Sequence, residues 1–331
     1  MKTTMTIAAF AASLGTTAFA DGHTNNVSLQ LQWVTQAQFA GYYVALDQGF
    51  YDDENLNVTI LPGGPDIAPP QVLAGGGADI MLNWMPSALA AREKGLPVVN
   101  IAQPFTSSGL MLTCWKDTGI KTVEDFRGKT IGVWFFGNEY PFLSWMSQVG
   151  IGTDGGDDGV TVLKQGFNVD PLLNREADCI STMTYNEYGQ VLDAGVNPDE
   201  LITFKYEDQG VATLEDGIWA LEDNLDDPVF VDKMVRFVRA SMAGWRYAED
   251  NVAEAAAIII EYDETGAQSE AAQVRMMGEI AKLTNGSTGA LDIEAYELTV
   301  ATLLAGGSDP VISTTPTGAY TTIITDAALM E

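Results

Sequence analysis

The stretch Val27-Ser28-Leu29-Gln30-Leu31-Gln32-Trp33 alternates apolar and polar positions without a break, the period of a half-buried strand. A helical pattern follows over 38–47. A second strand is expected at 56–61, closed by the turn cluster Pro62-Gly63-Gly64-Pro65-Asp66. A short helix at 68–74 ends at Gly75-Gly76-Gly77, and strand 78–83, helix 87–94 and strand 98–103 come next. Strand–helix–strand alternation of this kind builds an α/β, mostly parallel sheet with helices on both faces.

A second set begins near Leu110. Thr122 is placed to cap a helical turn at 123–127, and strands at 130–134, 160–164, 178–183 and 201–205 accompany a helix around 142–148. The Gly- and Asp-rich run 150–159 reads as a surface loop. From Gly217 the pattern changes to long helices. Asp227-Pro228 is a cap followed by a first-turn proline, and Val231, Met234, Val235, Val238, Met242 and Trp245 share one apolar face. Further helices fit 252–262, 267–283 and 293–304. The division expected is one lobe from 21–112 and 210–331, with 113–209 inserted as the second. Crossing strands near 110–115 and 209–214 would form the hinge.

The first twenty residues stand apart from this pattern. Lys2, a small and apolar run and the Ala18-Phe19-Ala20 step read as a signal peptide cleaved after Ala20, which implies export to the periplasm. No other stretch is long and apolar enough to span a bilayer. With 45 acidic against 16 basic residues, a net charge of −29, the surface repels nucleic acid. The two cysteines, Cys114 and Cys179, lack metal-ligand spacing. Export permits a disulfide between them, and two buried free thiols are the alternative. The only histidine, His23, lies outside the patterned domain, which removes histidine-based triads and most zinc sites.

Ligands of open α/β sheets bind beyond the carboxyl ends of the strands. That rule selects the loops 33–39, 62–66, 83–87, 104–108, 134–142, 181–188 and 206–210. They hold 12 aromatic residues in 44 positions, against 9% chain-wide, and no Lys or Arg. Rings and carboxylates without cations suit a flat, neutral or cationic ligand bearing N–H donors. The candidate ligand-binding residues are Trp33, Gln36, Phe39, Tyr42, Asp66, Asn83, Trp84, Ser107, Asn138, Glu139, Tyr140, Thr184, Tyr185, Asn186 and Glu187. Trp134 and Phe136 are expected in the core. Glu139 and Glu187 are the one conceivable acid/base pair, with no nucleophile, metal or cofactor site beside them.

Several segments carry a resemblance. Leu31-Gln32-Trp33, Gln38-Phe39-Ala40-Gly41-Tyr42-Tyr43-Val44-Ala45, Gly49-Phe50-Tyr51, Leu56-Asn57-Val58, Pro62-Gly63-Gly64-Pro65-Asp66 and Phe126-Arg127-Gly128-Lys129-Thr130-Ile131-Gly132-Val133 are similar to the thiamine-pyrimidine-precursor-binding family. That group of periplasmic binding proteins also contains the fungal pyrimidine synthase for thiamine. The resemblance implies a type II periplasmic-binding fold, a monomer delivering a small molecule to an ABC importer permease with its ATPase, and no cofactor. It also implies that Trp33 and Phe39 line the ligand site and that Asn186-Glu187-Tyr188 lies near the ring's amino edge. Position 39, often His in thiamine-precursor binders, is Phe here. The His, Lys and cysteine-rich motif of the synthase have no counterpart.

Overall fold

The N-terminal alternation folds as expected: in β1 (Asn26–Gln30), Val27 and Leu29 are buried, and Ser28 turns to Asp79, whose carboxylate accepts both its N–H and its hydroxyl at 2.7 Å. The remaining strands are β2 (Asn57–Leu61), β3 (Ile80–Asn83), β4 (Val98–Ala102), β5 (Leu110–Trp115), β6 (Thr130–Val133), β7 (Thr161–Lys164), β8 (Cys179–Met183), β9 (Leu201–Lys205) and β10 (Gly217–Leu221). The helices are α1 (Ala40–Asp47), α2 (Phe50–Asp53), α3 (Pro69–Ala74), α4 (Met85–Glu93), α5 (Glu139–Gln148), α6 (Asp170–Leu173), α7 (Glu187–Asp193), α8 (Pro228–Asp250), α9 (Val252–Tyr262), α10 (Glu270–Thr284), α11 (Ile293–Leu304) and α12 (Ile323–Leu329). This computed structural model describes residues 25–135, 137–306 and 310–330. The leader, His23 and Phe136 lie outside the described residues.

The strands form two five-stranded sheets, ordered β2-β1-β3-β10-β4 and β7-β6-β8-β5-β9. In the first, β1 runs parallel to β2 and β3, and β10 returns antiparallel between β3 and β4. In the second, β6 is parallel to β7 and β8, while β5 is antiparallel to β8 and β9. The chain passes from the first sheet to the second through 103–109 and returns through 206–216.

The hinge differs from the expected pair of strands. Leu110–Trp115 is a strand, but it lies wholly in the second sheet. The stretch 209–214 is not a strand: the 3-10 turn Glu207–Gln209 ends at Gly210, in the left-handed region, and irregular backbone leads to β10. Side chains take the bonds a ladder would have used. Leu214 N donates to the Thr299 hydroxyl at 3.0 Å, and Gly109 N donates to the Glu215 carboxylate at 2.7 Å.

Close helix packing supports the first sheet. A Cβ on Gly41 of α1 would lie 2.2 Å from the Trp245 ring, and one on Gly244 of α8 would lie 2.0 Å from the Gly41 carbonyl. Only glycine permits that approach. Trp245 is fully buried, with Tyr42 and Phe105 edge-on to it at 5.6 and 5.7 Å. Met234, Val238 and Met242 on the same face of α8 are buried, and Val231 and Val235 are half-buried. Asp227 caps α8 by accepting Val229 N at 2.9 Å. Helix α12, for which no pattern was evident, packs against α8. In the second sheet, Cys114 and Cys179 stand directly opposite on β5 and β8, and they are joined as a disulfide in a fully buried position. Trp134 is buried, as expected.

Trp245→Ala is expected to lower folding stability by about 3–5 kcal/mol, the usual cost of removing a buried aromatic side chain. Denaturant melts of the two proteins check it; a change within about 0.5 kcal/mol would remove Trp245 from the keystone position.

Candidate ligand-binding cleft

The structure gathers polar side chains where the two halves of the chain meet. Asp216, fully buried before β10, accepts Gln38 Nε2 at 2.7 Å and a short bond from Gln32 Nε2. Gln36 extends this chain by donating to Gln38 Oε1 at 2.6 Å. The neighbouring Glu215 accepts the Ser108 hydroxyl at 2.8 Å, Gly109 N at 2.7 Å and the Tyr185 hydroxyl at 3.2 Å. Glu187, the first residue of α7, accepts Met183 N at 3.0 Å and Asn186 Nδ2 at 2.9 Å. Burial pushes the Glu215 carboxyl up to about 8, with the adjacent Asp216 charge adding to the effect. Burial likewise raises Asp216 and Glu187 to about 7 each. Burial and the facing carboxylates drive the Tyr185 phenol well above its ordinary value, so it stays a donor.

The other candidate residues divide between cleft, core and surface. Trp33 is half-buried and meets Phe167 of the second half with ring centroids 4.5 Å apart. Trp84 follows β3 and donates its backbone N–H to Gln32 Oε1 at 3.2 Å, and its buried indole N–H lies near the Asp216 carboxyl. Asn83 holds the Ser87 hydroxyl at 3.4 Å, and its carbonyl accepts Trp219 Nε1. Thr184 N donates to Gly109 O at 2.8 Å, and Ser107 is half-buried on the same link. Phe39 and Tyr42 are fully enclosed in the hydrophobic core. Asp66 is exposed on the turn after β2. Asn138, Glu139 and Tyr140 open α5 at a separate contact. Glu139 accepts Gly137 N at 2.7 Å and burial raises its pKa, Asn138 donates to Phe135 O at 3.0 Å, and Tyr140 packs on the first-sheet cluster. Gly137, at φ 109°, brings the second half within van der Waals range of Ser87; a Cβ there would stand 2.9 Å from that of Ser87.

Beside Tyr185, a cavity of about 230 Å³ lies between α7 and α10, lined by Asn186, Gln190, Gln268, Gln273 and Met276 among others. Its guanidinium, Arg275, is committed to Asp193 by bonds of 2.9 and 2.6 Å that tie α10 to α7. Glu215, Asp216, Gln32 and Phe167 were missed in the sequence. Leu214-Glu215-Asp216-Gly217 did carry a signal, as two acids set inside an apolar run that leads into a buried strand.

Two α/β halves joined by two links, with polar groups converging between them, define the periplasmic-binding-protein fold. A sulfonate-binding protein of an ABC transporter from Methylobacillus flagellatus KT shares it, with a TM-score of 0.66 at 16% identity over 92% of this chain and 94% of that one. The chain belongs to the NMT1/THI5-like family, which it matches over residues 36–255. It is 25% identical to the formylaminopyrimidine-binding protein of Halalkalibacterium halodurans over 85% of each chain. It is 29% identical to a 4-amino-5-hydroxymethyl-2-methylpyrimidine phosphate synthase of Legionella pneumophila over 33% of this chain and 34% of that one.

The three raised carboxyls set a pH dependence. Their folded values exceed the ordinary ones, 4.5 for the two glutamates and 3.8 for Asp216, so the folded protein holds more protons than the unfolded chain between the two. Their contribution is complete below about pH 4 and is lost as pH rises through 7 to 8. Asp193, held low by Arg275, titrates below this window. The ligand-free protein is therefore expected to be less stable at pH 8 than at pH 5.5, by at least about 1 kcal/mol. Calorimetric melts at the two pH values check the sign; equal or greater stability at pH 8 would contradict it.

Proposed function

We propose that this solute-binding protein of the ABC-importer type captures a pyrimidine-type heteroaromatic, of the thiamine-precursor kind, between two lobes. The observation that carries the reading is the cavity beside Tyr185. Its wall carries four amide side chains, one of them backed by the buried Glu187 carboxylate, and its cation is already paired with Asp193. Such a wall recognises a flat ring with N–H donors and ring-nitrogen acceptors, and it offers a sulfonate no free positive charge. At about 230 Å³ the cavity falls below the range of roughly 300–1,000 Å³ for drug-sized ligands. A single substituted ring fits that space better than a flavin.

In this reading 21–112 with 210–331 forms one lobe and 113–209 the other; the two sheets support the division except at 110–112, which belong to β5 of the second sheet. Residues 1–20 direct export to the periplasm and are removed. The mature monomer delivers its ligand to a permease with its ATPase. Tyr185 and Asn186, which line the cavity, are the proposed ligand neighbours, with Glu187 behind Asn186; Trp33 and Trp84 are proposed to face the cleft outside it. The carboxylates of Glu139 and Glu187 are each engaged by backbone N–H groups, which favours binding over acid/base catalysis. The breadth of the likeness points the same way: it spans most of the chain for the pyrimidine-binding relative and a third of it for the synthase.

Thermal unfolding with 4-amino-5-hydroxymethyl-2-methylpyrimidine, formylaminopyrimidine, riboflavin and taurine tests the reading. A pyrimidine at 100 times its dissociation constant is expected to stabilise the protein by about 2.7 kcal/mol, and taurine not at all. Stabilisation by taurine or riboflavin without any by the pyrimidines would overturn it.

A further inference from the structure

The two links between the sheets are fastened to each other at one side chain. Glu215 belongs to the returning link, its carboxylate accepts Ser108 Oγ and Gly109 N from the outgoing link, and the Tyr185 hydroxyl reaches it from the second half. Asp216, next in sequence, is held by Gln32 and Gln38 of the first half. The titratable groups that face this pair are Tyr185 from the β8–α7 turn, which itself faces Glu187, and Tyr42 from α1. Glu207, in the turn that opens the returning link, accepts Ser108 N. Each of these is an acid or a phenol, and every donor that reaches the pair is neutral.

Two adjacent carboxylates in a dry interior, met only by neutral donors, resist carrying two charges. How dry they are depends on the halves being together, because the Tyr185 bond spans the joint and parting the halves admits water. We propose that Glu215 and Asp216 are a positioning pair for the closed cleft: closure takes up a proton between them, and opening returns it to solvent. Burial raises both carboxyls into the neutral range in the closed form, in keeping with this assignment. The inference rests on the reading of a cleft that opens and closes around a ligand. The sign is fixed: protons favour the closed form. A neutral ligand that binds the closed form should bind more tightly as pH falls from 8.5 to 6, by up to about tenfold per pH unit for each proton taken up.

Two measurements test it. Small-angle scattering of the ligand-free mature protein should show expansion as pH rises from 5.5 to 8.5, and Glu215→Gln, which keeps the shape without the charge, should flatten that profile. Calorimetry with 4-amino-5-hydroxymethyl-2-methylpyrimidine in two buffers of different ionisation enthalpy should show proton uptake near pH 7, reduced in Asp216→Asn. A folded Glu215→Gln protein with the wild-type scattering profile overturns the proposal. So does a wild type that never expands. Should Glu215→Gln fail to fold, a wild-type proton count in Asp216→Asn overturns it in the same way. If the pyrimidine does not bind while the scattering profile responds to pH and flattens in the variant, the ligand reading falls and this inference stands.

Discussion

Two neighbouring carboxylates buried where the chain crosses back between its sheets are the constraint to which the cleft is built. A buried carboxylate is costly unless its lone pairs are met by donors. Glu215 and Asp216 recruit theirs from distant segments: the loop after β1 gives Gln32 and Gln38, the outgoing link gives Ser108 and Gly109, and the turn after β8 gives Tyr185. Satisfying two acids therefore fixes the relative positions of both links and of the second half. Replacing them with apolar residues would leave those donors without acceptors, so the pair and its surroundings stand or fall together.

The donors hold station because the elements behind them are tightly packed. The loop carrying Gln32 to Phe39 runs directly into α1, and α1 is pressed on α8 through Gly41, Gly244 and Trp245. From the far side, Gln273 of α10 accepts Ala37 N at 2.6 Å, and Gln268 donates to Thr35 O at 3.1 Å. The same Gln268 and Gln273 line the cavity. Helix packing in the first half is thus transmitted to the cleft through hydrogen bonds to a loop, with few exposed side chains involved. In the second half, the Cys114–Cys179 bridge locks β5 to β8, the strand that delivers Tyr185 and Glu187.

Much of this architecture could be read from periodicity. The bounds of α9 and α11 and of β9 agree with their patterns, because each has an unbroken apolar stripe or alternation between clear stops. The hinge was misread for a physical reason. Residues 209–214 have strand-like composition, but Gly210 N and Val211 N are taken by Glu207 O and Tyr206 O in a tight turn and Leu214 N by the Thr299 hydroxyl, which local propensity does not reveal. Helix α12 escaped because seven residues are too few for a helical period to show. The site was legible as a set of loops and less so as side chains. Phe39 and Tyr42, two of the residues read as site candidates, are fully buried in the core beneath the loop after β1. Alternation cannot say which side of a helix entry faces a cleft when both sides are buried.

The wiring of the cavity wall has a consequence for what it can hold. Gln273 gives its oxygen to Ala37 N and one N–H to Gln268, which in turn donates to Thr35 O. Asn186 gives one N–H to Glu187 and accepts from Gln190. Each amide oxygen keeps a second lone pair and each amide nitrogen a second N–H, so this wall can both donate and accept. An amide can flip its ends only by breaking both bonds of its chain, and the far ends of these chains are a buried carboxylate and backbone groups that cannot flip. The amides are thus fixed in orientation, with the buried Glu187 carboxyl one bond behind Asn186. The guanidinium on this wall, Arg275, is already held by Asp193, so the polar character of the cavity comes from oriented amides and not from a free charge.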